Sequence, residues 1–215
     1  MKTAANYYKI KITKMSQEIF KFVFGESWNR LPPVMRKHYA NRPRSKDSVI
    51  VEGKMDIEFG IIFKILAPLL RLLKMLVPYQ GQDIFVRVTF LSEENSDALC
   101  FNREFYFAGK APVQFFSRMI VVQKNEIIEL MKCKIGWRFC YSFENGKVLL
   151  KHRGYNLFLF GKFIPLPLTL LFGEGYAEEE ALSEDEFAMK MTIKHFLFGK
   201  IYEYRGRFKI IKNIA

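Results

Sequence analysis

Two arginines lie among aromatic residues in segments that alternate like β-strands. Arg103 sits between Phe101 and Phe105 in "FNREFYF", and Arg205 follows Tyr204 in "YEYRGRF". An arginine on an inward face is a buried charge, which needs a carboxylate from the protein or from a ligand. An arginine can also hold a ligand carboxylate or phosphate by a bidentate contact. For Arg103 the candidate protein partners are Glu104, Glu129, Glu174 and Glu203.

Histidine is the residue type best suited to proton transfer near neutral pH. The chain has three histidines, His38, His152 and His195, and they are scattered. His38 lies two residues after Arg36 and is our candidate for acid–base work. The other two have no neighbours that indicate chemistry, and we interpret them as surface or structural residues.

Several kinds of site are excluded by the motifs that are missing. Cys100, Cys133 and Cys140 form no C-x-x-C pair, so we expect neither a disulfide framework nor a zinc site, but thiols in a reducing cytoplasm. No G-x-S-x-G, H-E-x-x-H or P-loop motif occurs. The acidic run Glu178 to Glu186 is interpreted as a solvated hairpin tip. We therefore predict no metal and no cofactor.

The chain is strongly basic, which bears on its partners. Lys and Arg number 34 against 22 Asp and Glu, a formal net charge of +12. Such an excess favours anionic partners such as acidic small molecules or an anionic membrane surface. The basic residues form no dense tract and no nucleic-acid-binding motif occurs, so nucleic acid is not an expected partner. The oligomeric state is left open.

The most hydrophobic stretch, "GIIFKILAPLLRLLKMLVP", raises the question of a membrane span. Its cations Lys64, Arg71 and Lys74 fall in one narrow sector of a helix, and such charges are costly inside a bilayer. We therefore predict an amphipathic helix over residues 60–77, kinked at Pro68 and ended at Pro78. It either packs on a sheet or touches a membrane or gates an apolar cavity. The N-terminus lacks a secretory signal, so we predict a cytoplasmic protein, with membrane association as an option.

The rest of the chain indicates a mostly antiparallel architecture. Two short helices broken at Gly25 are predicted first, then a half-buried strand over "VIVEGKMDIEF". From Gln82 onward the hydrophobic period is two, and Asn145-Gly146 is a strong hairpin signal. The predicted fold class is α+β: N-terminal helices and one long amphipathic helix packed on a curled antiparallel meander of about nine or ten strands, an open or closed barrel.

The order of the motifs resembles an uncharacterised bacterial family, the domain of unknown function numbered 4166. The segment "FKFVFGESWNRLPPVMRKHYA" resembles the opening of that family. The matching positions are Leu31, Pro32, Pro33, Arg36 and His38.

Further segments match the same family in order along the chain. They are the strand that contains Gly53, "VPYQGQDIFVRV", "FNREF" with Phe101 where the family has Trp, "FIPLPLTL" followed by Glu174, and "YEYRGRF". The resemblance implies a single domain over residues 1–215, with an N-terminal extension 1–19, a family-like core 20–208 and a tail 209–215.

The resemblance carries no established activity. Several family members join this domain to a dehydrogenase-like domain related to saccharopine dehydrogenase, but this chain has no G-x-G-x-x-G after a strand, and a nicotinamide enzyme is not supported. Combining the resemblance with the residue chemistry, we predict a ligand-binding set and assign no catalytic residue. The set is His38, Arg36, Arg103, Arg205, Tyr204 and Glu174.

Three functions remain as hypotheses. The leading one is a non-enzymatic module that binds a lipid-like or other small hydrophobic or amphipathic anionic ligand in a barrel-like cavity. The first alternative is an enzyme, or an accessory domain of one, that acts on a small hydrophobic metabolite with His38, Arg103 and Arg205. The second is a basic scaffold on the surface of a membrane.

Overall fold

A computed structural model describes residues 17–65, 68 and 76–215. Within them the chain forms eleven β-strands and a few short helices. The strands are β1 (Ser48–Phe59), β2 (Gly81–Ser92), β3 (Leu99–Tyr106), β4 (Val113–Gln123), β5 (Glu126–Met131), β6 (Ile135–Glu144), β7 (Lys147–Leu159), β8 (Lys162–Leu166), β9 (Glu174–Ala181), β10 (Glu186–His195) and β11 (Gly199–Ile214).

Ten of the described strands close into an antiparallel barrel. Each strand from β1 to β7 pairs with the next, β7 pairs with β9, β9 with β10 and β10 with β11. The ring closes where β11 returns to β1, in a register from Ser48 opposite Ile214 to Phe59 opposite Tyr202. Closure satisfies the backbone groups that an open sheet would leave unpaired at its edges.

Strand β8 lies outside the ring because β7 changes partner along its length. Residues 147–151 of β7 pair with β9, whereas residues 155–159 pair with β8. The β7–β8 hairpin therefore projects beyond the barrel wall. Its turn is Phe160-Gly161, and both residues have positive φ angles.

Local signals in the sequence predict the hairpins correctly. Asn145 and Gly146 have φ angles of 51° and 79° and join β6 to β7, as expected for the turn type that Asn-Gly favours. The predicted strand "VIVEGKMDIEF" is β1, with Met55 and Ile57 buried and Lys54 exposed. This alternation places one face of each strand in the barrel interior.

The N-terminal helices close one end of the barrel, which we call the helical end. They are α1 (Ile19–Phe24), a 3₁₀ helix (Gly25–Arg30) and α2 (Pro33–His38). Phe20 and Phe24 of α1 pack on Tyr39 and on Tyr141 of β6, with ring centroids 4.3–6.1 Å apart. The predicted break at Gly25 is confirmed, since α1 ends at Phe24.

The opposite end, which we call the tip end, is formed by shorter segments. Residues 61–65 are helical, and Phe63 is buried against Phe59 and Tyr202 at centroid distances of 4.6 Å. The N–H of Gly60 donates to the carbonyl of Ile201. A four-residue helix, α3 (Thr169–Phe172), and the β10–β11 turn at residues 196–198 lie at the same end.

Two parts of the predicted fold need revision. The described residues are dominated by sheet and their helices are short, so the α+β class overstates the helical part. The long amphipathic helix over 60–77 is not confirmed, because residues 66, 67 and 69–75 lie outside the described residues, as does most of the N-terminal extension. No helix in the described ranges is both long enough and apolar enough to span a bilayer.

Gly53 lies where β11 leaves no space for a side chain on β1. A Cβ atom there would lie 2.0 Å from the carbonyl oxygen of Arg207 and 2.8 Å from the ring of Phe208. We expect Gly53→Ala to lower the free energy of unfolding by about 1–3 kcal/mol, the usual cost of overpacking. Urea denaturation measures this change. Gly60→Ala is the control, because a Cβ at Gly60 meets nothing within 4 Å; an equal loss in both variants would contradict the steric argument.

Candidate functional site

The barrel encloses a cavity of about 80 Å³ that is mostly apolar. Its walls come from most strands of the ring, from the end of α2 and from Leu76 and Val77 at the tip end. Methionine is unusually common among the lining residues, and its flexible thioether side chain adapts to irregular space. The lining methionines are Met55, Met119, Met131, Met189 and Met191.

Arg103 is a buried charge in this cavity. Its guanidinium carbon lies 3.8 Å from the ring centroid of Phe101 and 4.1 Å from that of Phe115, a double cation–π contact. The Nη2 group donates to Ser117 Oγ at 2.6 Å and to Glu129 Oε1 at 2.5 Å. Of the four predicted carboxylate partners, the structure selects Glu129.

One donor of Arg103 has no acceptor. The Nε atom is buried, and no described residue accepts its hydrogen. Ser117 Oγ donates to Glu129 Oε1 at 2.7 Å, so the serine and glutamate are occupied with each other as well as with Nη2. The Nε–H of Arg103 is therefore an unsatisfied donor on a residue that lines the cavity.

A second polar group enters the cavity from α2 and β9. The hydroxyl of Tyr39 donates to Glu179 Oε2 at 2.5 Å, and His38 Nε2 lies 3.9 Å from the same oxygen. His38 Nδ1 is buried without a hydrogen-bond partner among the described residues. The loop after α2 is held by Asn41, whose amide donates to the carbonyl of Asp47 at 3.0 Å and to Ser92 Oγ at 3.3 Å.

Burial governs the protonation of these groups. Loss of hydration lowers the pKa of His38 to about 3 and raises the pKa of Glu179 to about 7, although the hydrogen bond from Tyr39 acts in the opposite direction on Glu179. His38 is therefore neutral near pH 7, and its contact with Glu179 is not an ion pair. Burial also raises the pKa of Tyr141 and Tyr204, so both hydroxyls stay protonated in the cavity.

The structure separates the predicted site residues into two groups. His38, Arg103 and Tyr204 line the cavity. The others lie outside the barrel: Arg36 is exposed on α2, Glu174 is exposed at the start of β9, and the Arg205 side chain is 59% exposed, with its Nε 3.5 Å from Asp56 Oδ2. A single pocket cannot hold all six, and the predicted joint site of Arg103 and Arg205 does not form.

The sequence interpretation missed Glu179, because it assigned the whole acidic run to a solvated tip. In the structure residues 182–186 are exposed in the β9–β10 turn, at the helical end of the barrel, while β9 carries Ala177 and Glu179 inward and Tyr176 and Glu180 outward. The small residues Gly175 and Ala177, two positions apart before Glu179, were the available signal of an inward face. Among the residues that the structure describes, no three His, Cys, Asp or Glu are placed to hold a metal ion.

The shifted pKa values of Glu179 and His38 have opposite effects on how the stability of the fold changes with pH. Glu179 binds a proton in the folded state between about pH 4.5 and 7, where the unfolded state has released it, so stability falls as pH rises through that window. His38 stays neutral in the folded state between about pH 6.5 and 3, where the unfolded state binds a proton, so stability falls as pH falls. The two effects offset each other between pH 4.5 and 6.5.

Glu179→Gln removes the pH dependence that comes from Glu179 and keeps a side-chain oxygen that can accept the hydrogen bond from Tyr39. We expect the free energy of unfolding of this variant, relative to wild type, to increase by about 3 kcal/mol between pH 4.5 and pH 8. Urea denaturation at a series of pH values measures it. The control is Glu184→Gln in the exposed β9–β10 turn, which should follow the wild-type profile. A pH-independent difference for Glu179→Gln would contradict the assignment.

Comparison with solved structures finds distant likenesses only. Rv2717c from Mycobacterium tuberculosis is 10% identical, with 88% of this chain and 99% of that chain covered and a TM-score of 0.41. A trans-AT PKS dehydratase domain from Brevibacillus brevis is 10% identical, with 75% and 76% covered and a TM-score of 0.21. The dehydratase domain of PpsC from M. tuberculosis is 7% identical, with 83% and 80% covered and a TM-score of 0.21. TM-scores this low carry no inference about this chain.

Sequence comparison is more informative. No curated protein matches the chain. The family described as "Domain of unknown function (DUF4166)" matches residues 31–208, which include the residues of the cavity and all strands of the barrel except the last six residues of β11. The expected resemblance is confirmed, and the chain belongs to the DUF4166 family.

Proposed function

We propose that the barrel interior binds a small, mostly apolar molecule that offers a hydrogen-bond acceptor to Arg103. The observation that carries this proposal is the buried Nε–H of Arg103, which has no acceptor among the described residues and belongs to a residue that lines a cavity of about 80 Å³. A buried donor without an acceptor is costly. A ligand oxygen would satisfy it, and a water molecule would take the same place in the absence of ligand.

The size of the cavity limits the ligand. Pockets for drug-sized molecules measure roughly 300–1,000 Å³, several times the volume found here. A long acyl chain therefore does not fit unless the wall rearranges, which argues against a typical lipid. The lining methionines can change rotamer and widen the space by a modest amount. We infer a ligand of a few non-hydrogen atoms with a compact apolar body.

The charges in the cavity favour a neutral acceptor. Glu129 already balances the charge of Arg103 through a contact of 2.5 Å. An anionic ligand at the free Nε–H would bring a second negative charge close to Glu129, and burial of an unbalanced charge is unfavourable. A carbonyl oxygen accepts the same hydrogen without that penalty. We therefore favour a ketone- or aldehyde-like ligand over the anionic ligand expected from the net charge.

The proposal predicts selective binding of cyclopentanone over methylenecyclopentane, which has the same shape but no acceptor oxygen. Arg103→Met alone would leave Glu129 as a buried unpaired charge, so the test uses the double variant Arg103→Met/Glu129→Met. We expect this variant to bind cyclopentanone about tenfold more weakly than wild type, because a hydrogen bond to a charged group is lost. Its affinity for methylenecyclopentane should not change. Ligand-observed NMR titration measures both affinities.

Arg205→Met is the matched control, since it removes an arginine from the outer face of the barrel. It should bind both compounds as wild type does. Equal wild-type affinities for the two compounds, or an unchanged affinity of the double variant for cyclopentanone, would contradict the proposal. Tighter binding of cyclopentanecarboxylate than of cyclopentanone would favour the anionic ligand instead.

A second candidate function is proton transfer on the bound molecule. It is supported by Glu179, whose carboxyl lines the same cavity as Arg103 and has a pKa raised to about 7 by burial. The ionised carboxylate would remove a proton from the carbon next to a ligand carbonyl. The C–H electron pair would form a C=C bond and the π pair of the carbonyl would move onto its oxygen, where Arg103 Nε–H would stabilise the resulting enolate.

Proton transfer of this kind predicts exchange of hydrogen for deuterium in cyclopentanone dissolved in D₂O. We expect wild-type protein to accelerate the loss of the NMR signals next to the carbonyl, with a rate that rises with pH through about 7 as Glu179 ionises. Glu179→Gln should abolish the acceleration. Binding without exchange would exclude proton transfer and leave the binding function intact.

A further inference from the structure

The most exposed hydrophobic side chains of the described residues are gathered at one end of the barrel. Six of them have two-thirds or more of their surface in solvent, from 67% for Leu197 to 91% for Phe160. We call them the tip residues. They are Ile61, Ile65, Phe160, Leu170, Phe196 and Leu197.

All six tip residues belong to connections at the tip end. Ile61 and Ile65 follow β1, Phe160 is in the β7–β8 turn, Leu170 is in α3, and Phe196 and Leu197 are in the β10–β11 turn. Two of these connections touch, since His195 Nε2 lies 3.0 Å from the carbonyl oxygen of Leu170. At the helical end, the corresponding hydrophobic residues of α1 and α2 are buried.

The chain segments that carry the tip residues contain charges of one sign only. Residues 60–65, 160–173 and 194–200 contain Lys64, Lys162, Lys194 and Lys200 and no Asp or Glu. All four lysines are exposed. Lys200 pairs with Glu203 at 3.3 Å, whereas the other three have no ion-pair partner within the described ranges. The acidic residues nearest along the chain are Glu58, Glu174 and Glu203, which border these segments.

Exposed apolar side chains beside unpaired lysines match the interface of an anionic bilayer. Apolar side chains can enter the boundary between headgroups and acyl chains, while lysines remain at the level of the phosphates. The tip residues belong to four separate connections between elements of the structure. A fluid lipid surface can close around separate protrusions, whereas a protein partner would need a surface of complementary shape to exclude water.

We propose that the tip end of the barrel binds peripherally to anionic phospholipid membranes. The tip residues insert into the interfacial layer, and Lys64, Lys162 and Lys194 attract the phosphates of the headgroups. The barrel axis then points toward the membrane, with the N-terminal helices on the side away from it. This inference does not depend on the ligand proposed for the cavity.

Vesicle flotation of the full chain tests the inference. We expect the protein to float with vesicles of phosphatidylcholine mixed with phosphatidylglycerol and to float much less with phosphatidylcholine alone. The variant Phe160→Ser/Phe196→Ser should lower the partition coefficient on the mixed vesicles by about tenfold or more, because two large apolar side chains are lost from the interface. Both sites are exposed, so folding should be kept, and circular dichroism checks this.

The control is Leu182→Ser/Ile211→Ser, which removes two exposed hydrophobic residues away from the tip end. It should float as wild type does. The inference is overturned if wild type binds neither vesicle, if binding ignores the lipid charge, or if both double variants lose binding equally. A wild-type dimer that Phe160→Ser/Phe196→Ser converts to a monomer in size-exclusion chromatography, without vesicle binding, would assign the tip end to self-association instead.

Discussion

The pairing of β11 with β1 is the constraint on which the rest of the structure depends. It joins the two ends of the meander over twelve residues of β1 and converts a curled sheet into a closed ring. Because side chains alternate strictly along a strand, the register of this closure decides which residue of each pair faces the interior. A slip by one residue would send Met55 and Ile57 into solvent and bring Lys54 inside. This register requires a glycine at position 53, because the carbonyl oxygen of Arg207 occupies the space that a Cβ atom would need there.

The polar groups inside the ring are accommodated in two ways. Arg103 and Glu129 compensate each other and share Ser117, while two aromatic rings cover the guanidinium faces. Tyr39, Glu179 and His38 instead reduce their charge, since burial favours the protonated carboxyl and the neutral imidazole. Among the described residues that line the cavity, Arg103 Nε and His38 Nδ1 are the buried side-chain atoms without a hydrogen-bond partner, and the proposed ligand site is built on the first of them.

The two ends of the barrel have opposite characters. At the helical end, α1 and α2 bury their apolar faces, and side chains such as Asn41 tie the connecting loop to the barrel. At the tip end, the connections expose large hydrophobic residues next to lysines. Chains usually keep such residues apart or covered, and a cluster of them indicates contact with an apolar or amphipathic surface. Some of the lysines that give the chain its net charge of +12 therefore lie beside this cluster.

The sequence alone was sufficient to predict the features that depend on neighbouring residues along the chain. The period-two strands, the Asn145-Gly146 hairpin, the break at Gly25 and the family all follow from short motifs and their order. The alternation identified the inward face of β1, but it could not do so on the strands that carry apolar residues on both faces. Arg103 and Arg205 each lie within two residues of an aromatic residue and look equivalent in sequence, yet the closure of the ring buries the first and exposes the second. Glu179 was assigned to solvent for the same reason: burial is a property of pairing between distant strands, and local alternation cannot specify its direction.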